Sequence, residues 1–406
     1  MLTGHNIVYF GDKWDGVLRN RQQLMSIFAR QNKVLFVETE RHLRPTLTSF
    51  RQGDLKLSDL RGSAVRQVSE NLFIFPGPVW APVSGHSPLR QLTKMARQRA
   101  FRNTLRELQM SQPIVWFYHP KWNDMIDKVP SARLRLYHVI DEYVSYQNKT
   151  PARCRLIEKL EREMMAQVDA VIVVSRELYE TKRSFNPNTY LVPNGVNYQA
   201  YDDALADPYL PKDLEKIKPP RLGYSGLVGD KLNLSMLKDL AQENPEWSLV
   251  FLGPVNAFQQ AQTWQALKAM PNVHYLGSVD WSQVPHYVKG FDVGLMPYVQ
   301  DRHSETISPL KLYDYLAAGL PVASMDIPSA REFSSCLRLA SSPQDFSQAV
   351  QHALADATPE HRQAQRKVAA QHTWEARVEQ LSDLIQTQLA AKVNHAKKIA
   401  QPKNLD

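Results

Sequence analysis

Residues 304–324 read S-E-T-I-S-P-L-K-L-Y-D-Y-L-A-A-G-L-P-V-A-S. Ser308 can cap a helix, Pro309 fits the first helical position, Gly319 can end the helix and Pro321 stops its continuation. The stretch is therefore expected to be a loop, a short buried helix and a strand over 322–324, as in a strand-helix alternation. Apolar residues surround nearly all of that helix, and its only charges, Lys311 and Asp314, lie three apart on one face with Ser308. An i,i+3 ion pair on a capped helix would explain them. A lysine in the first turn, however, sits at the positive end of the helix dipole, and an added anion there would relieve the conflict. A nucleotide diphosphate is such an anion.

Working outward, short apolar runs alternate with helix-length amphipathic segments on both sides of this stretch, the pattern of parallel α/β sheets. Strands are predicted over 7–10, 34–37, 72–75, 114–118, 134–140, 170–174 and 190–192, with helices over 21–30, 89–108, 153–167 and 176–185. A P-N-G-V turn at 193–196 closes this half. Residues 203–220 are polar and proline-bearing and read as a linker, after which strands follow over 221–225, 248–252, 273–276, 293–296 and 322–324. The predicted fold class is α/β with two Rossmann-like doubly wound domains, 1–202 and 221–372, facing a ligand cleft. A helix over 373–391 carries Trp374, Val378, Leu381 and Ile385 on one stripe. A tail over 392–406 is expected to be disordered.

With 406 residues, 43% hydrophobic and 22% charged, the chain has the balance of a globular protein large enough for two cores. Two distant cysteines, Cys154 and Cys336, suggest a reducing compartment and leave neither a disulfide framework nor a zinc cluster. The first residues lack the basic and apolar regions of a signal peptide, and no run reaches the roughly 18 apolar residues of a spanning helix. A cytoplasmic protein is expected, with peripheral attachment to the inner face of the plasma membrane. The net charge of +8 implies an anionic partner. Nucleic acid is disfavoured, because aromatics do not interleave with the basic run as a stacking platform requires.

Ligands of open parallel sheets gather beyond the carboxyl ends of the strands. There stand Gly11–Gly16 with Trp14, Arg19 and Arg21, then His119 and Lys121, then Asp141 and Glu142. In the second half come Gly226 to Lys231 and Pro297-Tyr298. The segment G-Y-S-G-L-V-G at 223–229 departs from the G-x-G-x-x-G fingerprint, which argues against a nicotinamide dehydrogenase. Its glycines still let backbone amides approach a phosphate, with Lys231 adding charge; a plain tight turn is the alternative. Asp141 or Glu142 could take a proton from a hydroxyl, or could serve only as a cap. His119 is a further catalytic candidate or a satisfied polar residue. From Leu89 to Arg106 the charged residues are Arg90, Lys94, Arg97, Arg99, Arg102 and Arg106, all basic. Such a helix, opposite Leu92, Met95 and Leu105, suits an anionic leaflet or is a solvated face.

The string S-P-L-K-L-Y-D-Y-L-A-A-G-L-P-V resembles the nucleotide-sugar motif of GT-B glycosyltransferases, particularly those of bacterial exopolysaccharide and teichuronic acid synthesis. Supporting segments occur in the family's order: W-D-G-V-L-R-N-R-Q-Q, V-I-D-E-Y, V-D-A-V-I-V-V-S, V-P-N-G-V, G-Y-S-G, P-E-W-S-L-V-F-L-G-P and the late T-W-E-A-R, together covering about residues 6–389. The resemblance implies a hexosyl- or glucuronosyltransferase using a nucleoside diphosphate sugar, no metal or other cofactor, and a lipid-linked or polysaccharide acceptor. It implies that Asp314 binds the donor ribose, that Lys311, Ser308 and Pro309 with neighbouring amides hold the diphosphate, and that Gly226, Lys231 and Tyr298 line the donor site. The family's usual sugar-contacting glutamate is replaced by Thr306, with Glu305 beside it. Some relatives lacking that glutamate invert the anomeric centre, using an aspartate of the first domain as base, which here selects Asp141 before Glu142. Trp14, Arg19, Arg21, Arg97 and Arg102 would face acceptor or membrane. The resemblance also implies that the last helix crosses back to the first domain. A nucleotide-sugar epimerase of the same fold and a non-catalytic nucleotide-sugar-binding scaffold are the rival readings.

Overall fold

Short runs rich in Val, Ile, Leu and aromatic residues can satisfy their backbone only by pairing, and burial on both faces removes the need for polar alternation. A computed structural model describes residues 1–15, 20–39, 41–53, 56, 65–83, 87–129, 131–145 and 150–400. In it these runs form β1 (Asn6–Phe10), β2 (Lys33–Val37), β3 (Arg66–Ser69), β4 (Leu72–Phe75), β5 (Ile114–Phe117), β6 (Leu134–Val139), β7 (Ala170–Val173) and β8 (Thr189–Leu191). Their order is β3-β4-β2-β1-β5-β6-β7-β8. Among the described residues of this sheet, only the β3–β4 pair is antiparallel.

The second half supplies β9 (Arg221–Ser225), β10 (Val228–Gly229), β11 (Ser248–Leu252), β12 (Val255–Asn256), β13 (Val273–Gly277), β14 (Val293–Met296), β15 (Val322–Met325) and β16 (Leu337–Ala340). Six of these make a parallel sheet in the order β13-β11-β9-β14-β15-β16, and β10 pairs with β12 beside it. Each large sheet has a point where successive connections leave in opposite directions, between β1 and β5 in one and between β9 and β14 in the other. The crevices beyond the carboxyl ends at these two points are where an open parallel sheet can hold a ligand.

Three expectations about organisation change. Residues 203–220 are not a bare linker. They include the end of the helix Tyr198–Ala206 and all of the helix Lys212–Glu215, and Leu214 and Ile217 are buried in the second core. The apolar residues that anchor the segment are few and scattered, so composition conceals them. The last helix runs from Trp374 to Ala400, well past residue 391, and residues 401–406 lie outside the described part. Its Trp374, Val378, Leu381, Ile385 and Leu389 are buried in the first core, so the end of the chain completes the domain that the beginning started. Finally, β3, β16 and the helix Leu43–Gln52 have no counterpart in the sequence reading, being short or polar edge elements.

Candidate functional site

At the β9–β14 crevice, the helix Leu310–Ala317 begins one residue later than its capping residues suggest. Pro309 stands at the N-cap and no side chain caps it. Ser308 does not cap because its hydroxyl is engaged with Tyr313 and its carbonyl accepts from Asn194 Nδ2 at 2.8 Å. At the other end Gly319 adopts φ +68°, and the Leu320 amide reaches back to the Tyr315 carbonyl, closing the helix as expected.

Lys311 and Asp314 share a face but do not form a contact ion pair. Lys311, 8% exposed, donates to the Tyr298 hydroxyl at 2.8 Å and lies 4.7 Å from the Tyr224 ring centre and 5.1 Å from that of Tyr298. Among the described residues no carboxylate lies within ion-pairing distance of it. Burial pulls its pKa down to about 8, against the opposing pull of the Asp314 charge. Asp314 is hydrogen-bonded to Tyr201, and burial pushes its pKa up to about 6 although Tyr201 and Lys311 pull the other way. The Lys311 side chain points at the turn after β9. Gly226 has φ +133°, and Gly253 at φ +131° approaches it so closely that a Cβ there would lie 2.3 Å from the Gly226 carbonyl oxygen. That contact is possible only for glycine. Lys231 stands 5.8 Å from the Tyr298 ring centre, so both lysines border the same tyrosine.

At the β1–β5 crevice, Asp12 accepts from Arg21 at 3.0 Å, Lys121 at 2.9 Å, the Thr39 hydroxyl at 3.1 Å and the Tyr118 hydroxyl. Despite partial burial, Tyr118, Lys121 and Arg21 together hold its carboxyl well below the usual range. Arg21 is 2% exposed and lies 4.8 Å from the Tyr118 ring centre, so it is at the strand ends but not on a membrane-facing surface. Trp14 is half-buried, its ring edge-on to Phe36 and its amide bonded to Glu38. Arg19 lies outside the described residues.

The adjacent carboxylates Asp141 and Glu142 have opposite fates. Both oxygens of Glu142 accept from Lys182 Nζ, at 3.2 and 3.0 Å, and Lys182 also bonds Glu161 at 2.9 Å. Tyr137 donates to the other Glu161 oxygen. Burial opposes the Lys182 charge, but the two carboxylates outweigh it and raise the pKa. Glu142 is therefore a structural anion, which corrects its candidacy as a base. His119 has a structural role: its Nδ1 accepts the Lys121 amide at 3.0 Å, capping a 3-10 helix over Pro120–Lys128, and its ring packs 4.3 Å from that of Tyr143. Asp141 remains partly exposed. It faces across the cleft to His303, 3.9 Å away, and its charge is felt at Tyr298.

Several residues joining the halves carry no signal in the sequence strong enough to single them out. His303 Nδ1 is 3.0 Å from the Ser145 hydroxyl, and Ser175 donates to the Thr306 carbonyl at 2.7 Å. Asn194 of the P-N-G-V turn meets Asn20, the Ser308 carbonyl and, through its own carbonyl, Arg377. Thr306 is buried with its hydroxyl on the His303 carbonyl, and Glu305 is exposed. The basic helix, observed over Ser87–Glu107, also differs from expectation. Arg97 is buried and donates to the Ala81 carbonyl, whereas Leu89, Leu92 and Met95 are exposed with Arg90, Arg99 and Arg102. Among the described residues no helix is long and apolar enough to cross a membrane, and no group of three His, Cys, Asp or Glu is placed to hold a metal ion.

Residues 229–356 match the family model described as Glycosyl transferases group 1. Over 183 residues the chain is 31% identical to TuaH of Bacillus subtilis (strain 168), a protein assigned a glycosyltransferase role in teichuronic acid biosynthesis. That match covers 44% of this chain and 45% of the relative, so the chain spans less than half the length of the curated relative it matches. The fold is similar to that of sucrose-phosphate synthase (tll1590) from Thermosynechococcus elongatus, with a TM-score of 0.70, 17% identity, and coverage of 95% of this chain and 100% of the other. Anabaena HepE in complex with UDP and glucose gives a TM-score of 0.65 at 13% identity, covering 94% of this chain and 100% of the other. With these neighbours the paired doubly wound domains and the returning helix are a GT-B fold.

Proposed function

We propose that this protein is a glycosyltransferase that moves a sugar from a nucleoside diphosphate to an acceptor in cell-envelope glycan synthesis, working at the cytoplasmic face of the membrane. The observation that carries the proposal is Lys311: a buried cation with no carboxylate in contact among the described residues, beside the Gly226 turn and at the start of a helix. Burying an ammonium without a counter-ion is costly, and an anionic ligand would offset that cost. The matched family segment, 229–356, contains Lys231, Tyr298, Lys311 and Asp314, and the UDP in the HepE complex makes uridine diphosphate sugars the first donors to test.

In the proposed reaction the bond from the anomeric carbon to the β-phosphate oxygen breaks, and its electron pair stays on the diphosphate. Lys311 and Lys231, on either side of the Gly226 turn, stabilise that developing charge. The acceptor hydroxyl attacks from the first domain and gives its proton to Asp141, the partly exposed carboxylate facing the cleft. Thr306, where the family's usual sugar-contacting glutamate is replaced, favours inversion of the anomeric centre. Asp314 binds the ribose. Titration calorimetry against UDP, GDP and their sugars tests the reading: a nucleotide should bind, and Asp314→Ala should weaken it. If no nucleoside diphosphate binds, or if one binds but its sugar is never transferred to any extracted envelope acceptor, the proposal fails.

A further inference from the structure

One side chain of the second domain, His303, reaches the carboxylate proposed as the base. It lies in the segment between β14 and the helix Leu310–Ala317. Backbone and short polar groups build the turn that carries it. An Asp301 carboxylate oxygen accepts the His303 and Ser304 amides at 3.0 and 2.9 Å, and the Ser304 hydroxyl donates to the Asp301 carbonyl at 2.9 Å. The His303 carbonyl accepts the Thr306 hydroxyl at 3.0 Å, and Ser175 ties the Thr306 carbonyl to the first domain at 2.7 Å. None of these bonds uses the imidazole, so the turn presents the ring to the first domain without needing it for its own shape.

Ser145 decides which ring nitrogen carries the proton. Its hydroxyl has one hydrogen, and that hydrogen goes to the Glu142 carbonyl at 2.7 Å. The Ser145 oxygen, 3.0 Å from His303 Nδ1, is left as an acceptor, so Nδ1 carries a hydrogen and donates it. The same Nδ1 stands 3.9 Å from an Asp141 carboxylate oxygen, with the two side chains 13% and 25% exposed. At that distance the contact is electrostatic and not a hydrogen bond. An N–H end facing a carboxylate attracts it, whereas a lone pair on the same nitrogen would repel it. Glu142, next in the chain, meets its cation Lys182 within the first domain; Asp141 meets a donor from the second.

We propose that His303 is a positioning residue for Asp141: its Nδ1–H, anchored on Ser145, orients the carboxylate from across the cleft, so that the base is in place only when the two domains meet. This rests on the transferase reading for the use made of Asp141, but the placement itself can be measured without any turnover. No bond to His303 forms or breaks. The proton of the acceptor hydroxyl passes to Asp141, and the imidazole keeps its own.

Nitrogen-15 NMR of histidine-labelled protein, with His303 assigned by its loss in His303→Asn, tests the tautomer at about pH 8, above the ordinary histidine range. Nδ1 should be the protonated ring nitrogen, and a lone pair on Nδ1 overturns the proposal. Carbon-13 NMR of the Asp141 carboxyl, assigned by its loss in Asp141→Asn, tests the coupling. His303→Ala should move that resonance, and His303→Asn, whose Nδ2 stands in for Nδ1–H, should return it most of the way. In transfer to an extracted envelope acceptor, His303→Ala should lower kcat about 10- to 100-fold, the cost of a slightly misplaced reacting group. The KM for the nucleotide sugar should stay within about twofold, since donor binding is not involved. His303→Asn should recover most of the rate. A loss as large in His303→Asn as in His303→Ala would make the imidazole itself the base and overturn the positioning role. So would a carboxyl resonance and a kcat that both ignore His303→Ala. If the wild-type protein transfers no sugar the transferase reading falls, and the two NMR measurements still decide whether His303 holds Asp141.

Discussion

Lys311, buried among its tyrosines, carries a charge with a pH limit. Burial lowers the lysine pKa to about 8, whereas the Tyr224 and Tyr298 hydroxyls are pushed above their ordinary value and stay neutral. In the ligand-free protein the lysine charge is present below pH 8 and is lost as pH rises through it. Nucleotide affinity should therefore decline above about pH 8, and calorimetry across pH 6.5–9.5 would show no such decline if another group holds the diphosphate. Lys311→Met should weaken the nucleotide about 10- to 100-fold, the worth of a charge-assisted hydrogen bond of about 1.5–3 kcal/mol. It should not lower the melting temperature of the free protein, since it removes an uncompensated buried charge. For the adjacent carboxylates the pattern reverses. Glu142→Gln should cost about 2–3 kcal/mol of stability, somewhat less than a fully broken buried pair because Glu161 still faces Lys182. Asp141→Asn should leave stability within about 0.5 kcal/mol and reduce transfer at least about 100-fold with nucleotide binding intact. Denaturant melts and turnover on both variants separate the roles; equal loss of binding in the Asp141 variant would remove it as the base. The acidic pair is plain in the amino-acid sequence. Which member is the anchor depends on Lys182 and Glu161, far along the chain, and no local spacing reports that.

Elements were easier to place than their faces. The helix Leu310–Ala317 lies within the predicted stretch, but Pro309 takes the cap position because Asn194, from the other half of the chain, holds the Ser308 carbonyl. The helix Ser87–Glu107 was also visible, yet Arg97 points inward to the Ala81 carbonyl and Leu92 and Met95 point outward, since a long arginine can bury its stem while its head finds a carbonyl. Strand β6 carries a buried histidine that periodicity cannot distinguish from an apolar core residue. Neither ring nitrogen of His138 has a partner among the described residues, and burial lowers its pKa to about 3. Between about pH 6.5 and 3 the unfolded chain therefore binds a proton that the folded one refuses, and stability is lost as pH falls through that window. His138→Leu should flatten that part of a stability–pH curve measured by urea unfolding. An unchanged slope would place the acid sensitivity in other groups.

Across the whole molecule, the candidate site residues lie where each sheet reverses its direction of winding: Asp12 and Lys121 follow β1 and β5, and Gly226 and Tyr298 follow β9 and β14. Strand order is set by which connections cross which face, so the pairing of these four positions is not written in any local pattern. The same holds for the first domain's dependence on the end of the chain, where Trp374 to Leu389 fill its core. If the exposed arginines dock the first domain on an anionic leaflet, Arg99→Glu/Arg102→Glu should lower partitioning to phosphatidylserine vesicles about tenfold or more, with the wild-type binding itself falling as salt is raised. Partitioning that ignores the double substitution would dismiss that face. Alternating apolar runs and helical segments, Pro and Gly punctuation and the S-P-L-K-L-Y-D-Y string were enough to reach two doubly wound parallel sheets and a buried helix with Lys311 and Asp314 on one face, because these depend on neighbours a few residues apart. Folding in three dimensions was required to bind Glu142 to Lys182, to set His119 as a cap against Tyr143, to turn Arg97 inward and to bring Asp141 opposite His303. Each of those outcomes is a contact between distant segments, and burial, which decides the charge and reach of a side chain, exists only once those segments have met.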